Sequence, residues 1–178
     1  ETLWILAGSI PPGVEVSVYE QMTRQIKVLG GDVVLDTSGA ALMRGLLAGP
    51  MLIKPNLFEL SQLTGREITD LQELLDEPEI LRSVNAAYVA VSAGDKGALL
   101  TDGANTAVCL PPEIQEVNPV GAGDAMVAGL SFALHHGYGL EQALVLGVAC
   151  GTASAMQSGT KMPEWELVEE VRQRVRLL

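Results

Sequence analysis

Asn118-Pro119-Val120-Gly121-Ala122-Gly123-Asp124 ends a loop, opens an apolar helical run and places one carboxylate just past three small residues. A Gly-Ala-Gly turn lets backbone N–H groups converge on an anion without Cβ obstruction. The helix that follows adds its own unsatisfied N–H groups and the positive end of its dipole. An Asp in that first turn can accept a proton from an attacking hydroxyl while the amides hold the charge of a moving phosphoryl group. Base and anion hole together are what phosphoryl transfer requires. The plainer alternative is a helix start whose Asp only complements the dipole, and the other motifs of the chain decide between the two.

The 178 residues suit one large domain or part of a larger protein. A folded chain of this size buries about 70% of its unfolded surface, and 48% hydrophobic residues supply the core. With 22 acidic against 11 basic residues, the formal net charge is −11. That balance argues against nucleic acid or an anionic membrane as the main partner. It leaves a phosphate site open, because backbone amides bind anions without net positive charge. Cys109 and Cys150 lie far apart without metal-ligand spacing and read as small buried hydrophobes. A reducing, cytoplasmic compartment fits them. No apolar run approaches the ~20 residues that span a bilayer, and no signal-peptide pattern is present. Glu1 is not an initiator Met, and a buried strand begins almost at once, so the chain is expected to be the C-terminal part of a longer protein.

Short β-type runs alternate with amphipathic ones. Strands are predicted at Thr2 to Ala7, Asp32 to Asp36, Met51 to Ile53 and Tyr88 to Ser92. A hairpin is predicted from Gly97 to Asp102 and Thr106 to Leu110, turning at Gly103-Ala104-Asn105. Helices are predicted from Glu15 to Leu29, from the Thr37-Ser38 cap to Ala48, from the Asn56 cap to Gly65, and from Asp70 with a break at Pro78. Three more follow at Asp124 to His136, Leu140 to Gln157 and Glu164 to Leu177. Gly137 and Gly159 stand at C-cap positions and Pro163 at the first helical position. Trp165, Val168, Val171, Val175 and Leu178 recur at helical spacing and read as core packing. The alternation predicts an α/β fold with a mainly parallel sheet covered by helices on both faces. Ligands of such sheets sit beyond the C-terminal strand ends, where Gly8-Ser9, Asp36-Thr37-Ser38-Gly39, Lys54-Pro55-Asn56 and Ser92-Ala93-Gly94 fall.

Asn56 and Glu59 stand three residues apart, on one side of a helix's first turn. They can hold a hydrated Mg²⁺ through its waters, or simply cap the helix reciprocally. Lys54 can touch a phosphate or a sugar, or be solvated. Gly94 and Gly97 permit close approach of a nucleotide or merely a tight turn, and Ser9 can bond a substrate oxygen or organise its loop. Asp36 faces the site or organises its turn. His135 and His136 close a helix and are not placed in the site.

Taken in order, Gly8-Ser9-Ile10-Pro11-Pro12-Gly13, Asp36-Thr37-Ser38-Gly39, Lys54-Pro55-Asn56-Leu57-Phe58-Glu59, Ser92-Ala93-Gly94-Asp95-Lys96-Gly97 and Gly121-Ala122-Gly123-Asp124 resemble the ribokinase-like (PfkB) family of sugar kinases. More narrowly they resemble its phosphofructokinase branch, which includes 1-phosphofructokinase and tagatose-6-phosphate kinase. The resemblance implies a three-layer αβα fold in which residues 1–178 form the C-terminal, nucleotide-binding and catalytic part of a single domain. It makes Asp124 the base toward the substrate hydroxyl, and Gly121, Ala122 and Gly123 the anion hole. Asn56 and Glu59 then position Mg²⁺, Lys54 lies near the phosphates of ATP, Ser92, Gly94 and Gly97 flank ATP, and Ser9 serves the sugar-phosphate side. The implied reaction converts a ketohexose phosphate, tagatose 6-phosphate or a fructose phosphate, to a bisphosphate with release of ADP. The Asp124 carboxylate and the Asn56–Glu59 turn are expected to share one cleft. The full-length protein is expected to be a homodimer, with no nucleic-acid or membrane partner.

Two departures from the family pattern bear on this. Asn118-Pro119 stands where the wider family often carries a Ser/Asp-Thr pair, closer to tagatose-6-phosphate kinases. The family's first half, with its Gly-Gly-x-Gly-x-Asn segment and β-sheet lid, is missing from the 178 residues. The chain alone is therefore expected to lack kinase activity and to self-associate through the bare edge of its first strand. Competing readings are a kinase for another sugar or a nucleoside, a non-catalytic sugar- or nucleotide-binding homologue, and a dinucleotide-binding domain, against which the lack of an early Gly-x-Gly-x-x-Gly argues.

Overall fold

The predicted alternation is realised as seven strands and eight α-helices within residues 2–178, the residues that the computed structural model describes. They form two compact units. One runs to Ala93 and includes Thr101–Asn105; the other comprises Gly94–Leu100 and Thr106–Leu178.

In the first unit the strands are β1 (Leu3–Ala7), β2 (Asp32–Asp36), β3 (Leu52–Ile53) and β4 (Tyr88–Ser92). The helices are α1 (Val18–Val28), α2 (Gly39–Leu46), α3 (Leu57–Thr64), α4 (Leu71–Asp76) and α5 (Glu79–Arg82). The strands pair in parallel, Leu3 opposite Asp32, Val34 opposite Leu52 and Leu52 opposite Tyr88. Parallel strands covered on both faces are apolar at consecutive positions, and Val33, Val34, Leu35, Leu52, Ile53, Val89, Ala90 and Val91 are all buried. Each of the larger side chains contributes about 1.5–3 kcal/mol of transfer free energy. At Gly45 of α2 a Cβ would strike the Leu35 side chain, so glycine lets this helix lie directly on β2. Beside β2 on one edge, β1 leaves Trp4 48% and Ile5 47% exposed.

Local signals are read accurately here. Asn56 caps α3, Gly65 ends it at φ +69°, Asp70 caps α4 by accepting from the Glu73 amide at 3.0 Å, and Pro78 separates α4 from α5. α1 starts at Val18 rather than Glu15, because residues 15–17 form a turn in which the Val18 amide donates to the Glu15 carbonyl.

The second unit opens with a 3-10 turn at Gly94–Lys96. It carries β6 (Thr106–Leu110), α6 (Ala122–His135), α7 (Leu140–Ala155), α8 (Trp165–Arg172), β7 (Arg176–Leu177) and most of β5 (Ala98–Thr101). α6 and α7 pack closely through glycines: a Cβ on Gly129 would lie 2.9 Å from Cys150 Sγ, and one on Gly147 would lie 2.6 Å from Leu130 Cγ. Among the described residues no helix is long and apolar enough to cross a membrane.

The C-terminal reading needs correction. The predicted helix stops at Arg172, where Arg174 N turns back to the Val171 carbonyl and the Arg174 guanidinium donates to the Glu113 carbonyl. The chain then forms β7, antiparallel to β6 with Cys109 opposite Leu177. Pairing with an open strand edge outcompetes helix continuation, and β7 adds an antiparallel strand that the helical spacing had hidden. The apolar stripe is core only at Val168 and Val171; Trp165 is 57% and Leu178 75% exposed. α7 ends at Ala155, ahead of Gly159, because the Ala155 carbonyl is taken by the amides of Val117 and Asn118 at 2.9 and 3.0 Å. Trp165, not Pro163, takes the first position of α8, with Glu164 before it as the N-cap residue.

Candidate functional site

Gly121 holds φ +87° immediately before α6, a backbone state that a Cβ disfavours. The helix starts two residues earlier than predicted, which puts Ala122, Gly123 and Asp124 in its first turn. Ala122 N donates to the Pro119 carbonyl at 3.1 Å. The amides of Gly123 and Asp124 meet no backbone carbonyl among the described residues, and both residues are exposed. Unpaired amides, the positive helix end and an accessible carboxylate thus coincide.

The preceding loop is tied down from several sides. Asn118 Oδ1 accepts from Val120 N at 3.1 Å, and Asn118 Nδ2 donates to the Gly159 carbonyl at 2.8 Å. Behind the turn, a Cβ on Gly151 of α7 would lie 2.9 Å from the Ala122 carbonyl oxygen, so glycine there permits direct backing of the first turn. His135 and His136 close the far end of α6, about 20 Å along the axis, where His136 Nδ1 lies 2.7 Å from the Phe132 carbonyl oxygen. In the same unit Gly94 (φ +62°) begins the 3-10 turn and is exposed. At Gly97 (φ +105°) a Cβ would strike the Cys109 carbonyl, so packing alone requires this glycine. Burial pushes the Cys109 thiol up to about 12 and the Cys150 thiol to about 11, which leaves both protonated and poorly nucleophilic at neutral pH.

In the first unit the C-terminal strand ends come together as a row. The Gly8 amide donates to the Asp36 carbonyl at 2.9 Å, Lys54 Nζ lies 3.8 Å from Asp36 Oδ1, and Ser92 N donates to the Pro55 carbonyl at 3.1 Å. Asn56 and Ser92 form an isolated parallel bridge. Lys54 is only 7% exposed, which rules out the solvated reading; an ammonium this buried needs an anionic partner, and Asp36 supplies one. Ser9 is exposed beside a cavity of about 320 Å³ lined also by Ile10, Pro12, Val14, Thr37 and Ala41. A larger cavity of about 490 Å³, near Leu46, Leu63, Ile80 and Val84, includes none of the predicted residues.

The Asn56–Glu59 pair forms the full capping box: Glu59 N donates to Asn56 Oδ1 at 2.8 Å and Asn56 N donates to Glu59 Oε2 at 2.9 Å. One carboxylate oxygen is thereby engaged and the other left for a further partner. Among the described residues no three His, Cys, Asp or Glu side chains gather as a metal cage. The donor set fits a hydrated Mg²⁺ held through its waters rather than a fully protein-coordinated ion.

Two residues that bear on the site escaped the sequence reading. The hydroxyls of Tyr19 and Thr37 both bond the Gly8 carbonyl, at 3.1 and 2.8 Å. Thr37 had a signal in its strand-end position but read as a helix cap; Tyr19 had none.

The sequence profile described as "pfkB family carbohydrate kinase" matches residues 1–167. The chain belongs to that family. It is 36% identical over 160 residues to the ATP-dependent 6-phosphofructokinase isozyme 2 of Escherichia coli, covering 89% of this chain and 52% of the relative. To the 1-phosphofructokinase of Rhodobacter capsulatus it is 37% identical over 161 residues, covering 90% and 51%. Among solved structures, phosphofructokinase-2 from Escherichia coli in complex with potassium superposes with a TM-score of 0.89 at 34% identity, covering 96% of this chain and 56% of that one. A tetrameric inhibited form of the same enzyme is also similar (TM-score 0.85, 33% identity, 97% and 57% covered). The fold is the ribokinase-like α/β fold of these neighbours, and the chain spans about half the length of the curated relatives it matches.

Proposed function

We propose that this chain supplies the nucleotide-binding and catalytic part of an ATP-dependent kinase acting on a ketohexose phosphate. The observation that carries the reading is the first turn of α6, where an exposed Asp124 carboxylate adjoins amides that no backbone carbonyl engages. In the proposed reaction the acceptor hydroxyl gives its proton to Asp124 and its oxygen attacks the γ-phosphorus of ATP. The bond from that phosphorus to the β,γ-bridging oxygen breaks, and its electron pair leaves with ADP. The Ala122 amide is taken by the Pro119 carbonyl, so the unengaged amides of Gly123 and Asp124 hold the charge on the transferring group, and positioning and electrostatics carry the catalysis.

Lys54, fixed beside Asp36, serves the nucleotide phosphates, and Ser92, Gly94 and Gly97 border the nucleotide. Asn56 and Glu59 hold the waters of Mg²⁺, which supplies charge neutralisation when bound. Ser9 serves the sugar phosphate. Relatives named for fructose phosphates favour such a substrate over tagatose 6-phosphate or an unphosphorylated sugar. A non-catalytic binding homologue would need no base beside its anion hole. We assign the full-length protein to the cytoplasm as a homodimer; the free thiols support a reducing compartment, and the tetrameric relative supports self-assembly.

A panel of fructose 1-phosphate, fructose 6-phosphate and tagatose 6-phosphate, offered with ATP and Mg²⁺ to the full-length protein, tests the reading. ADP release with one of them is expected; background rates with all three would end it.

A further inference from the structure

The chain leaves β1 through Gly8 at φ +97°, and the carbonyl of Gly8 is gripped from two sides. Thr37 Oγ1, just past β2, donates to it at 2.8 Å. The Tyr19 hydroxyl, from α1, shares its one proton between the Gly8 carbonyl at 3.1 Å and the Ala7 carbonyl at 2.9 Å. A strand-end carbonyl at an exposed turn is readily satisfied by water, so two side chains from separate elements are more than satisfaction demands. Their effect is to fix the plane of the Gly8–Ser9 peptide. In a trans peptide the N–H points opposite to the C=O. The Ser9 amide is therefore aimed away from the clamp, and it meets no backbone carbonyl among the described residues. Hydrogen bonds to the carbonyl also polarise the peptide and strengthen that N–H as a donor. Ser9 and Thr37 both line the cavity of about 320 Å³.

We infer that Tyr19 and Thr37 are positioning residues for the sugar phosphate, clamping the Gly8–Ser9 peptide so that the Ser9 amide and hydroxyl present donors to an anionic or hydroxylic oxygen of the substrate. The inference rests on the proposed assignment of Ser9 to the substrate side. It adds that the affinity of that contact is set by two hydroxyls whose protons are spent on the carbonyl of the same peptide. Because the clamp acts on one peptide of the sugar side, it governs sugar-phosphate binding and leaves nucleotide binding alone.

The test uses the full-length protein with Tyr19→Phe, Thr37→Val and Thr37→Ser, read by KM for each substrate, by kcat, and by direct titration of fructose 6-phosphate or fructose 1-phosphate without ATP. Each of the first two variants is expected to weaken sugar-phosphate binding about 3- to 10-fold, the worth of one hydrogen bond, with KM for ATP and kcat within about twofold. Thr37→Ser keeps the hydroxyl and is expected to retain wild-type affinity. If Tyr19→Phe fails to fold, the Thr37→Val and Thr37→Ser comparison decides alone. Unchanged sugar-phosphate affinity in Thr37→Val, or equal KM changes for both substrates, would overturn the inference. Ser9→Ala separates the two layers: weak binding there with silent clamp variants sinks only the clamp, whereas a panel without turnover sinks the kinase reading.

Discussion

Asn56 and Glu59 hold each other's backbone amides, Oδ1 of one at 2.8 Å and Oε2 of the other at 2.9 Å, so the start of α3 and its outward carboxylate are one rigid unit. Glu59→Gln preserves an acceptor for the Asn56 amide but removes the charge. Stability is expected to change by less than about 0.5 kcal/mol, while the Mg²⁺ concentration for half-maximal rate rises. Glu59→Ala loses half the box as well and is expected to cost about 1 kcal/mol. Metal titration of the rate beside thermal melts separates the effects; an unchanged titration in Glu59→Gln removes its metal role.

Two glycines at positive φ are expected to respond differently to alanine. At Gly97 a Cβ would strike the Cys109 carbonyl, and the strained backbone adds to that clash, so Gly97→Ala is expected to destabilise by about 2–4 kcal/mol. At Gly121 nothing lies nearer to a new Cβ than Ser154 Oγ at 3.9 Å. Gly121→Ala is expected to cost only about 1–2 kcal/mol of backbone strain yet to lower kcat more than tenfold by shifting the anion-binding turn. Denaturant melts and kinetics on the same samples check both, and equal stability losses would contradict the contrast.

The outer edge of β1 and its exposed Trp4 and Ile5 predict self-association of the 178-residue chain expressed alone. Ile5→Lys is expected to reduce it, since a charge on an edge strand opposes pairing. Sedimentation velocity reads the outcome; a monodisperse monomer for the unaltered chain would contradict the prediction.

The two thiols make an alkaline prediction. Burial raises Cys109 to about 12 and Cys150 to about 11 from an ordinary value of 9.0, so the folded state keeps protons that the unfolded state loses. Their contribution to stability is full below pH 9 and declines as pH climbs through the folded values. Native protein is expected to resist iodoacetamide at pH 8 and react on unfolding; rapid native labelling would contradict this burial.

Much of this was legible from local chemistry. Asn56, Gly65, Asp70 and Pro78 punctuate the helices as their residue types dictate, and the apolar runs at Asp32 to Asp36 and Tyr88 to Ser92 match β2 and β4 residue for residue. The illegible parts depend on distant partners. Val175 and Leu178 continue a helical spacing, but the open edge of β6 claims that segment as β7. Lys54 reads equally as solvated until the pairing of β2 with β3 brings Asp36 beside it. Tyr19 carries no motif, and only its placement on α1 brings its hydroxyl to Ala7 and Gly8.

In the proposed reaction the Asp124 carboxylate takes the proton of the acceptor hydroxyl. Asp124→Asn keeps the shape of the first turn of α6 and removes the base. In the full-length protein, with ATP binding measured by titration and turnover by coupled ADP release, nucleotide affinity is expected to stay near wild type and kcat to fall by about 10²–10⁴-fold, the usual worth of general-base catalysis. Turnover within a few-fold of wild type would contradict it.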